Sequence, residues 1–337
     1  MPCYNVAPYV GRCIESIEHQ DIPQSEYEVI CVDDCSNDNT VDVIRMYQER
    51  YGNIHLICHQ TNKTAGGGRN TGLDAAQGEY VWFADPDDKV EARVLKKLYQ
   101  HAASKDVDIL AFNIRDSYED GVGVNQAMYT DSSKVLNGSE FYLQPHLKGL
   151  HSAESVYASL YKRDFLRRKA LRFPEIKASQ DVVFTWTCVL AAERCASVAD
   201  VCYDYIHRPN STTGSNGQYS ANTILSHALL FAIELQRIID ANPGINEQLM
   251  GQLMDTQNYA LNGSSRRIIK SNRKERKQFY QSLKSYAIEI QQFQAKMNRK
   301  TKNIFKYERP YGLWMCYIYL YRMMLLLKTR LKDESNI

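Results

Sequence analysis

The sequence predicts an α/β protein with a mostly parallel sheet flanked by helices, followed by an all-helical C-terminal region. Three observations support this fold class. Short apolar runs alternate with amphipathic helical patterns over the first hundred residues, acidic loops follow two of those runs, and only helical periodicity remains after Ser220. The chain has 337 residues, 44% of them hydrophobic, which is enough for two moderate domains, and we place these at 1–215 and 216–337.

The predicted strands of the first domain are short and continuously apolar, which is typical of strands that helices cover on both faces. They span residues 29–32, 54–57, 80–83, 108–113 and 157–161. Apolar residues at helical spacing predict helices over residues 10–17, 41–47, 91–104 and 163–170. The alternation over the first hundred residues implies parallel strands joined by right-handed crossovers.

The first five residues, Met1-Pro2-Cys3-Tyr4-Asn5, have the composition of a loop that follows a strand, yet no apolar segment precedes them. We therefore expect the first strand of the sheet to be truncated. No charged leader with an apolar core is present, which argues against a cleaved signal peptide. Nine cysteines without CxxC or paired His/Cys spacing favour reduced thiols, and hence the cytoplasm, over disulfides or a zinc site.

The second domain is predicted to consist of helices over residues 221–241, 245–262, 274–298 and 310–331. The last of these has aromatic residues, an apolar body and a basic tail, but Arg322 interrupts it, so it is too short to span a bilayer comfortably. It is suited to lie in a membrane interface, with the basic run at 266–277 as a second attraction to anionic lipid. Packing as a core face against the other helices explains the same pattern equally well.

Three carboxylates, those of Asp85, Asp87 and Asp88, directly follow the predicted strand at 80–83. In an open parallel sheet the ligand crevice lies beyond the carboxyl ends of the strands, so a ligand could reach these side chains there. Hard oxygen ligands at alternate positions suit Mg²⁺ or Mn²⁺ bridging to a diphosphate. An Asp-rich turn that caps the following helix is the alternative.

A second acidic pair, Asp33 and Asp34, follows the strand at 29–32 and brings further carboxylates to the same edge. The polar residues after it also suit a helix cap. Between the two acidic loops lies a glycine-rich segment with one arginine, Arg69, at the start of a helix. Backbone N–H groups and a guanidinium in that position can hold phosphate oxygens, although the spacing is neither that of a P-loop nor that of GxGxxG.

Four segments in order, residues 2–5, 32–38, 68–72 and 78–88, resemble the motifs of family 2 glycosyltransferases with the GT-A fold. The resemblance covers about residues 1–215. It implies a Rossmann-like nucleotide-binding sheet, a nucleoside-diphosphate sugar as the donor, and inversion at the anomeric carbon. It also implies the donor-binding residues: Pro2, Tyr4, Asn5 and Asp34 on the side of the nucleotide base, Arg69 at the base or phosphates, Asp85 at the ribose, and Asp87 at the Mn²⁺ or Mg²⁺ ion that holds the diphosphate.

An inverting transferase needs a carboxylate that deprotonates the acceptor hydroxyl as it attacks. The resemblance assigns this role to Asp181, at the start of an apolar helix, where the helix dipole stabilises the anion. Gln180 stands where an acid is common in the family, and the loss of that negative neighbour should lower the proton affinity of Asp181 slightly. A helix cap is the alternative role for Asp181.

Residues 203–213 resemble the aromatic and basic segment that follows the base helix in this family. The resemblance implies that His207 or Arg208 offsets charge on the leaving diphosphate. A solvated arginine in a surface loop is the alternative.

Together these features predict a metal-dependent glycosyltransferase that moves a sugar, with UDP as the favoured carrier, to a hydroxyl of a glycan or lipid-linked saccharide. We expect a cytoplasmic protein, peripheral at the inner face of the cell membrane, with no nucleic-acid partner. A nucleotidyltransferase, which would release pyrophosphate, is one alternative function. A catalytically inactive, membrane-associated protein that binds nucleotide sugars is another.

Overall fold

The computed structural model describes residues 1–118, 123–126, 128–144, 155–208, 221–270, 272–285, 290–291, 311, 313, 315 and 318. The chain divides into two compact units, over residues 1–217 and 218–337.

The first unit begins with a three-stranded parallel sheet in the order β1-β2-β3. Its strands and the helices between and after them are β1 (Pro2–Cys3), α1 (Ala7–Glu18), β2 (Val29–Asp33), α2 (Thr40–Arg50), β3 (Ile54–Cys58) and α3 (Thr64–Ala75). Helices α1 and α2 pack on the sheet through fully buried apolar side chains, which include Val10, Ile14, Cys31 and Ile44. These elements agree with the parallel arrangement that the sequence predicts.

The second sheet of this unit has a mixed direction. Its strands are β4 (Tyr80–Trp82), β5 (Lys89–Val90), β6 (Ile109–Tyr118), β7 (Gly123–Gln126), β8 (Ser159–Lys162) and β9 (Cys195–His207), in the order β4-β8-β6-β9-β5, with β7 on β6. Only β6 and β9 pair in parallel, and the other pairs are antiparallel. The parallel arrangement that the sequence predicts for the first hundred residues therefore does not extend to this sheet, because apolar runs reveal that strands exist but not which way their neighbours run.

Four further helices complete the first unit: α4 (Leu95–Ser104), α5 (Gly138–Tyr142), α6 (Arg163–Arg168) and α7 (Gln180–Ala191). The helix predicted from residue 91 starts later, at Leu95. The residues before it are drawn into the sheet, since Lys89 and Val90 pair with β9 and the Glu91 N–H donates to the Cys202 carbonyl (2.9 Å).

The predicted loop at residues 1–5 in fact contains strand β1, in which Pro2 and Cys3 pair with β2. The Met1 ammonium group donates to the Ile30 carbonyl (2.8 Å). Beside it lies a cavity of about 650 Å³, lined by residues of both β2 and β4, among them Val29 and Trp82. Arg69 also lines this cavity, whereas Asp87 and Asp181 do not.

The second unit contains three described helices, α8 (Ala221–Ala241), α9 (Glu247–Lys270) and α10 (Arg273–Ser285). They bury apolar side chains such as Leu235, Leu253 and Phe279, and the Gln257 amide donates to the Ala232 carbonyl (2.8 Å). Helix α9 continues through Gly263, where the sequence predicts an end, because one glycine costs a helix only about 1 kcal/mol.

The predicted helix at 310–331 lies outside the described residues apart from four isolated positions, and so does most of the segment after residue 285. In the described parts of the chain, no helix combines the length and the hydropathy that crossing a membrane requires.

Candidate active site

Arg69 and Asp85 form a buried ion pair at the centre of the candidate site. Arg69 lies on α3, its side chain is only 5% exposed, and its Nη2 donates to Oδ1 of Asp85 at 2.6 Å. Asp85 lies in the loop after β4 and is 24% exposed. Burial lowers the pKa of Arg69, but the carboxylates of Asp85 and Asp181 outweigh it and hold the pKa above its ordinary value. The arginine is therefore a permanent cation between two acids.

Phe173 and Asn70 fix the position of the Arg69 side chain. The guanidinium lies over the Phe173 ring, with 5.4 Å between the guanidinium carbon and the ring centroid. The Asn70 side chain donates to the Phe173 carbonyl and accepts from its N–H, both at 3.0 Å. The Phe173 ring also stacks on Phe184 of α7 at 3.9 Å. Helices α3 and α7 are thus tied together beneath the arginine.

Asp181 lies in the first turn of α7, close enough to Arg69 for the two charges to interact. Helix α7 starts at Gln180, after Ser179 in a left-handed conformation (φ 58°), so Asp181 is inside the helix and is not its cap. Burial raises the pKa of Asp181. The Arg69 cation opposes this rise, whereas the Asp85 carboxylate adds to it, and the resulting pKa lies above the ordinary aspartate value. A carboxylate with a raised pKa is a better proton acceptor.

Gln180 faces the protein interior. It is 7% exposed, and its Cγ would lie 3.1 Å from a Cβ at Gly66 on α3. Its Oε1 is buried without a hydrogen-bond partner in the described part of the chain. An acid at this position would be buried beside Asp181, so glutamine removes a repulsive charge, as the sequence predicts.

Asp87 forms an ion pair with Arg208, the residue that follows β9. Nη2 of Arg208 contacts Oδ2 of Asp87, and the two side chains are 14% and 23% exposed. His207 is directed elsewhere, with its Nε2 3.2 Å from Oδ1 of Asp116 and its ring stacked on Tyr118. Of the two residues predicted at the diphosphate, only Arg208 therefore lies at the acidic loop.

Asp34 is buried in a network of its own. Its Oδ1 accepts from the Lys63 N–H and contacts Nδ1 of His59, both at 2.7 Å, and Nε2 of His59 contacts the Thr71 hydroxyl at 2.8 Å. This network joins the end of β2 to the start of α3.

The other residues predicted near the nucleotide base are Pro2, in β1, and Tyr4 and Asn5, in the loop that follows it. Pro2 is buried against Gly68, Tyr4 is 48% exposed, and Asn5 has a left-handed backbone (φ 53°). The Asn5 N–H donates to the Ser36 hydroxyl (2.9 Å), and its Oδ1 accepts from the Asn37 N–H (2.8 Å). The two loops that follow β1 and β2 are therefore bound to each other.

Asp88 has a structural role instead of facing a ligand. It is 1% exposed and accepts from the Tyr203 hydroxyl (2.8 Å) and the Ile206 N–H (2.9 Å). The Tyr203 hydroxyl also accepts from the Asp85 N–H (2.9 Å). Burial and the nearby Asp85 raise the pKa of Asp88 to about 8. These bonds hold the acidic loop onto β9.

Two residues of this site, His59 and Phe173, were missed in the sequence, and two more, Asn70 and Tyr203, lie in recognised segments but were given no role. His59 follows strand β3, and a polar residue at the carboxyl end of a third parallel strand was a usable signal. Phe173 had no such signal, and the roles of Asn70 and Tyr203 could not be read from their segments, because these roles depend on contacts with residues far away in the chain.

Comparisons with known proteins identify the family of this chain. The chain matches the profile of Glycosyl transferase family 2 over residues 1–168. It is 30% identical over 213 residues to the poly(ribitol-phosphate) beta-glucosyltransferase of Bacillus spizizenii, covering 61% of this chain and 31% of that protein. The chain thus spans less than a third of that relative's length.

Two solved structures have a similar fold. The first is a crystal structure of residues 1–349 of TarS from Staphylococcus aureus in complex with UDP-GlcNAc, with a TM-score of 0.65, 24% identity, and coverage of 91% of this chain and 85% of that one. The second is a mannosyltransferase from Pyrobaculum calidifontis in complex with GDP-Man and Mn²⁺, with a TM-score of 0.52, 17% identity, and coverage of 96% and 85%. The GT-A-like α/β fold predicted from the motifs is confirmed, and the chain belongs to glycosyl transferase family 2.

Proposed function

We propose that this chain is a metal-dependent, inverting glycosyltransferase that moves a sugar from a UDP-sugar to a hydroxyl of a glycan or lipid-linked saccharide. The proposal rests on the position of Arg69, which forms an ion pair with Asp85 and also lies in the electrostatic field of Asp181. It links the loop that would hold the donor to the helix that would provide the base. The glucosyltransferase named among the relatives and the UDP-GlcNAc complex of a structural neighbour support this reaction class.

On the donor side, we assign Asp87 to a bound Mg²⁺ or Mn²⁺. Among the described residues no three acidic, histidine or cysteine side chains converge, so the protein offers few ligands. A single carboxylate that is 23% exposed still fits such a cation, which keeps several waters and completes its shell with diphosphate oxygens. The Mn²⁺ complex of a structural neighbour supports the assignment. When bound, the cation would neutralise charge on the departing UDP.

On the acceptor side, Asp181 takes the proton from the acceptor hydroxyl. The hydroxyl oxygen forms a bond to the anomeric carbon while the bond to the UDP oxygen breaks on the opposite face, so the configuration inverts. The raised pKa strengthens Asp181 as a base, and the Arg69 cation favours the ionised form in which the carboxylate can accept a proton. The name of the Bacillus spizizenii relative adds polyol phosphate polymers to the acceptors that should be tested.

We also propose a cytoplasmic location at the inner face of the membrane. All eight cysteines in the described part of the chain are free thiols, which supports a reducing compartment. Flotation with anionic liposomes, with and without residues 310–337, tests the membrane part, and unchanged binding after truncation would rule out a role for that segment.

The experiment that tests the function is product analysis with the full chain. UDP-glucose and UDP-GlcNAc are supplied with Mn²⁺ and a panel of saccharide and polyol phosphate acceptors, and free UDP and pyrophosphate are quantified. We expect acceptor-dependent release of UDP, abolished in Asp87→Asn and retained in the exposed control Asp164→Asn. Release of pyrophosphate would instead indicate nucleotidyltransfer. A donor-dependent thermal shift without any product would indicate an inactive binding protein.

A further inference from the structure

Arg208 contacts the carboxylate of Asp87, the residue that we assign to the metal ion. Its Nη2 contacts Oδ2 of Asp87, and both side chains are largely withdrawn from solvent. A charge-assisted hydrogen bond of this kind is stronger than one between neutral groups. A guanidinium in this place and a divalent cation exclude each other from the same oxygen.

The arginine is held in this place by a third segment of the chain. Its guanidinium carbon lies 4.2 Å from the centroid of the Tyr9 ring on α1, and Arg12 of the same helix donates from Nη2 to the Asp87 carbonyl at 2.8 Å. Helix α1, the loop after β4 and the residue after β9 therefore meet around Asp87 and Arg208. Such an arrangement is more specific than a surface ion pair, which would contribute little.

One donor of Arg208 remains unused. Its Nε is buried and has no hydrogen-bond partner in the described part of the chain. Leaving a charged donor without an acceptor in a buried place is costly, so the contact with Asp87 does not satisfy the guanidinium completely. A diphosphate is the ligand that a guanidinium matches best, because two N–H groups can bind two oxygens of it side by side.

We propose that Arg208 is an internal counter-ion that occupies the cation-binding oxygen of Asp87 before the donor arrives and is transferred to the donor's diphosphate when the metal binds. This inference rests on the proposed function. It makes metal binding and donor binding interdependent, since the cation must displace Arg208 from Asp87 and the diphosphate accepts the displaced guanidinium. Without a nucleotide, Arg208 weakens metal binding, and with a nucleotide it strengthens diphosphate binding.

The test uses Mn²⁺ titrations of the full chain, followed by electron paramagnetic resonance, and UDP titrations at saturating Mn²⁺. In Arg208→Met the nucleotide-free affinity for Mn²⁺ should rise about tenfold, because the competing bond to a charged group is removed. Its affinity for UDP should fall by about the same factor. The control Arg168→Met, which removes an exposed arginine paired with Asp164, should change neither. Arg208→Gln provides a second neutral variant should the methionine variant fold poorly.

The opposite changes in the two affinities distinguish this proposal from simpler roles. A purely structural arginine would weaken both affinities, and an arginine that only contacts the diphosphate would leave the nucleotide-free Mn²⁺ affinity unchanged. Either result in a folded variant would overturn the proposal. Failure of the wild-type chain to bind Mn²⁺ and UDP at all would instead contradict the proposed function.

Discussion

The Tyr203 hydroxyl on β9 donates a hydrogen bond to the Asp88 carboxylate at 2.8 Å, and both groups are buried. The same hydroxyl accepts from the Asp85 N–H at 2.9 Å, so one oxygen atom holds two residues of the acidic loop.

Replacing this hydroxyl should destabilise the protein. Tyr203→Phe removes one of the two hydrogen bonds that the Asp88 carboxylate accepts and the bond that the Asp85 N–H donates. We expect the free energy of unfolding to fall by about 1–3 kcal/mol. Urea denaturation measures the loss. Tyr99→Phe removes a similar hydroxyl, one that donates to Glu79 at an exposed site, and should leave the midpoint unchanged. Equal effects in the two variants would contradict the role of Tyr203.

Two glycines of α3 provide a matched test of the packing beneath the nucleotide site. A Cβ at Gly68 would lie 2.9 Å from Cβ of Pro2, whereas a Cβ at Gly72 would meet its nearest atom, on Val32, at 3.7 Å. Both substitutions gain the same helix propensity, so their difference isolates the clash. Gly68→Ala should be less stable than Gly72→Ala by about 1–3 kcal/mol. The affinity of the Gly68→Ala variant for UDP should fall as well, because the added methyl group must displace Pro2, a predicted donor-binding residue. Equal stabilities for the two variants would mean that β1 shifts to accommodate the added methyl group without a measurable loss of stability.

Substitution of Asp181 should separate chemistry from donor binding. The proposed base acts in the transition state, so Asp181→Asn should lower kcat by a factor of about 10²–10⁴ while the Kd for the UDP-sugar stays nearly the same. Steady-state rates and calorimetric titrations provide the two values, with Asp164→Asn as the exposed control. An equal loss of donor affinity would assign Asp181 to donor recognition and not to proton transfer.

The acid side of the pH–rate profile should report the environment of Asp181. Only the ionised carboxylate accepts a proton, so the rate rises as pH passes upward through its pKa, and the raised pKa moves this rise to higher pH than an ordinary aspartate would give. Arg69 opposes the shift, and therefore Arg69→Met should move the rise to still higher pH, measured as kcat at saturating donor. Arg69→Lys retains the charge and should stay near the wild type. A move to lower pH in Arg69→Met would show that another group controls the profile.

The sequence by itself determined the family and the positions of the elements with strong local patterns. Strands β2 and β3 were predicted within one residue of their observed ends, and α8 over its observed range. These elements follow from the spacing of apolar residues along a few turns or pleats, which is a local property of the chain. The roles predicted for Asp85, Asp87 and Asp181 came from the family resemblance, through short segments with characteristic neighbours.

The tertiary structure alone decided which partner each of these residues has. The contacts of Asp85 with Arg69, of Asp87 with Arg208, and of Asp88 with Tyr203 join different elements of the first unit. The mixed strand directions of the second sheet and the late start of α4 were likewise decided by pairing between distant segments, such as β4 with β8 and β5 with β9. Pairing between distant segments is governed by how the whole unit buries its apolar surface and satisfies its polar groups, and no local pattern records that outcome.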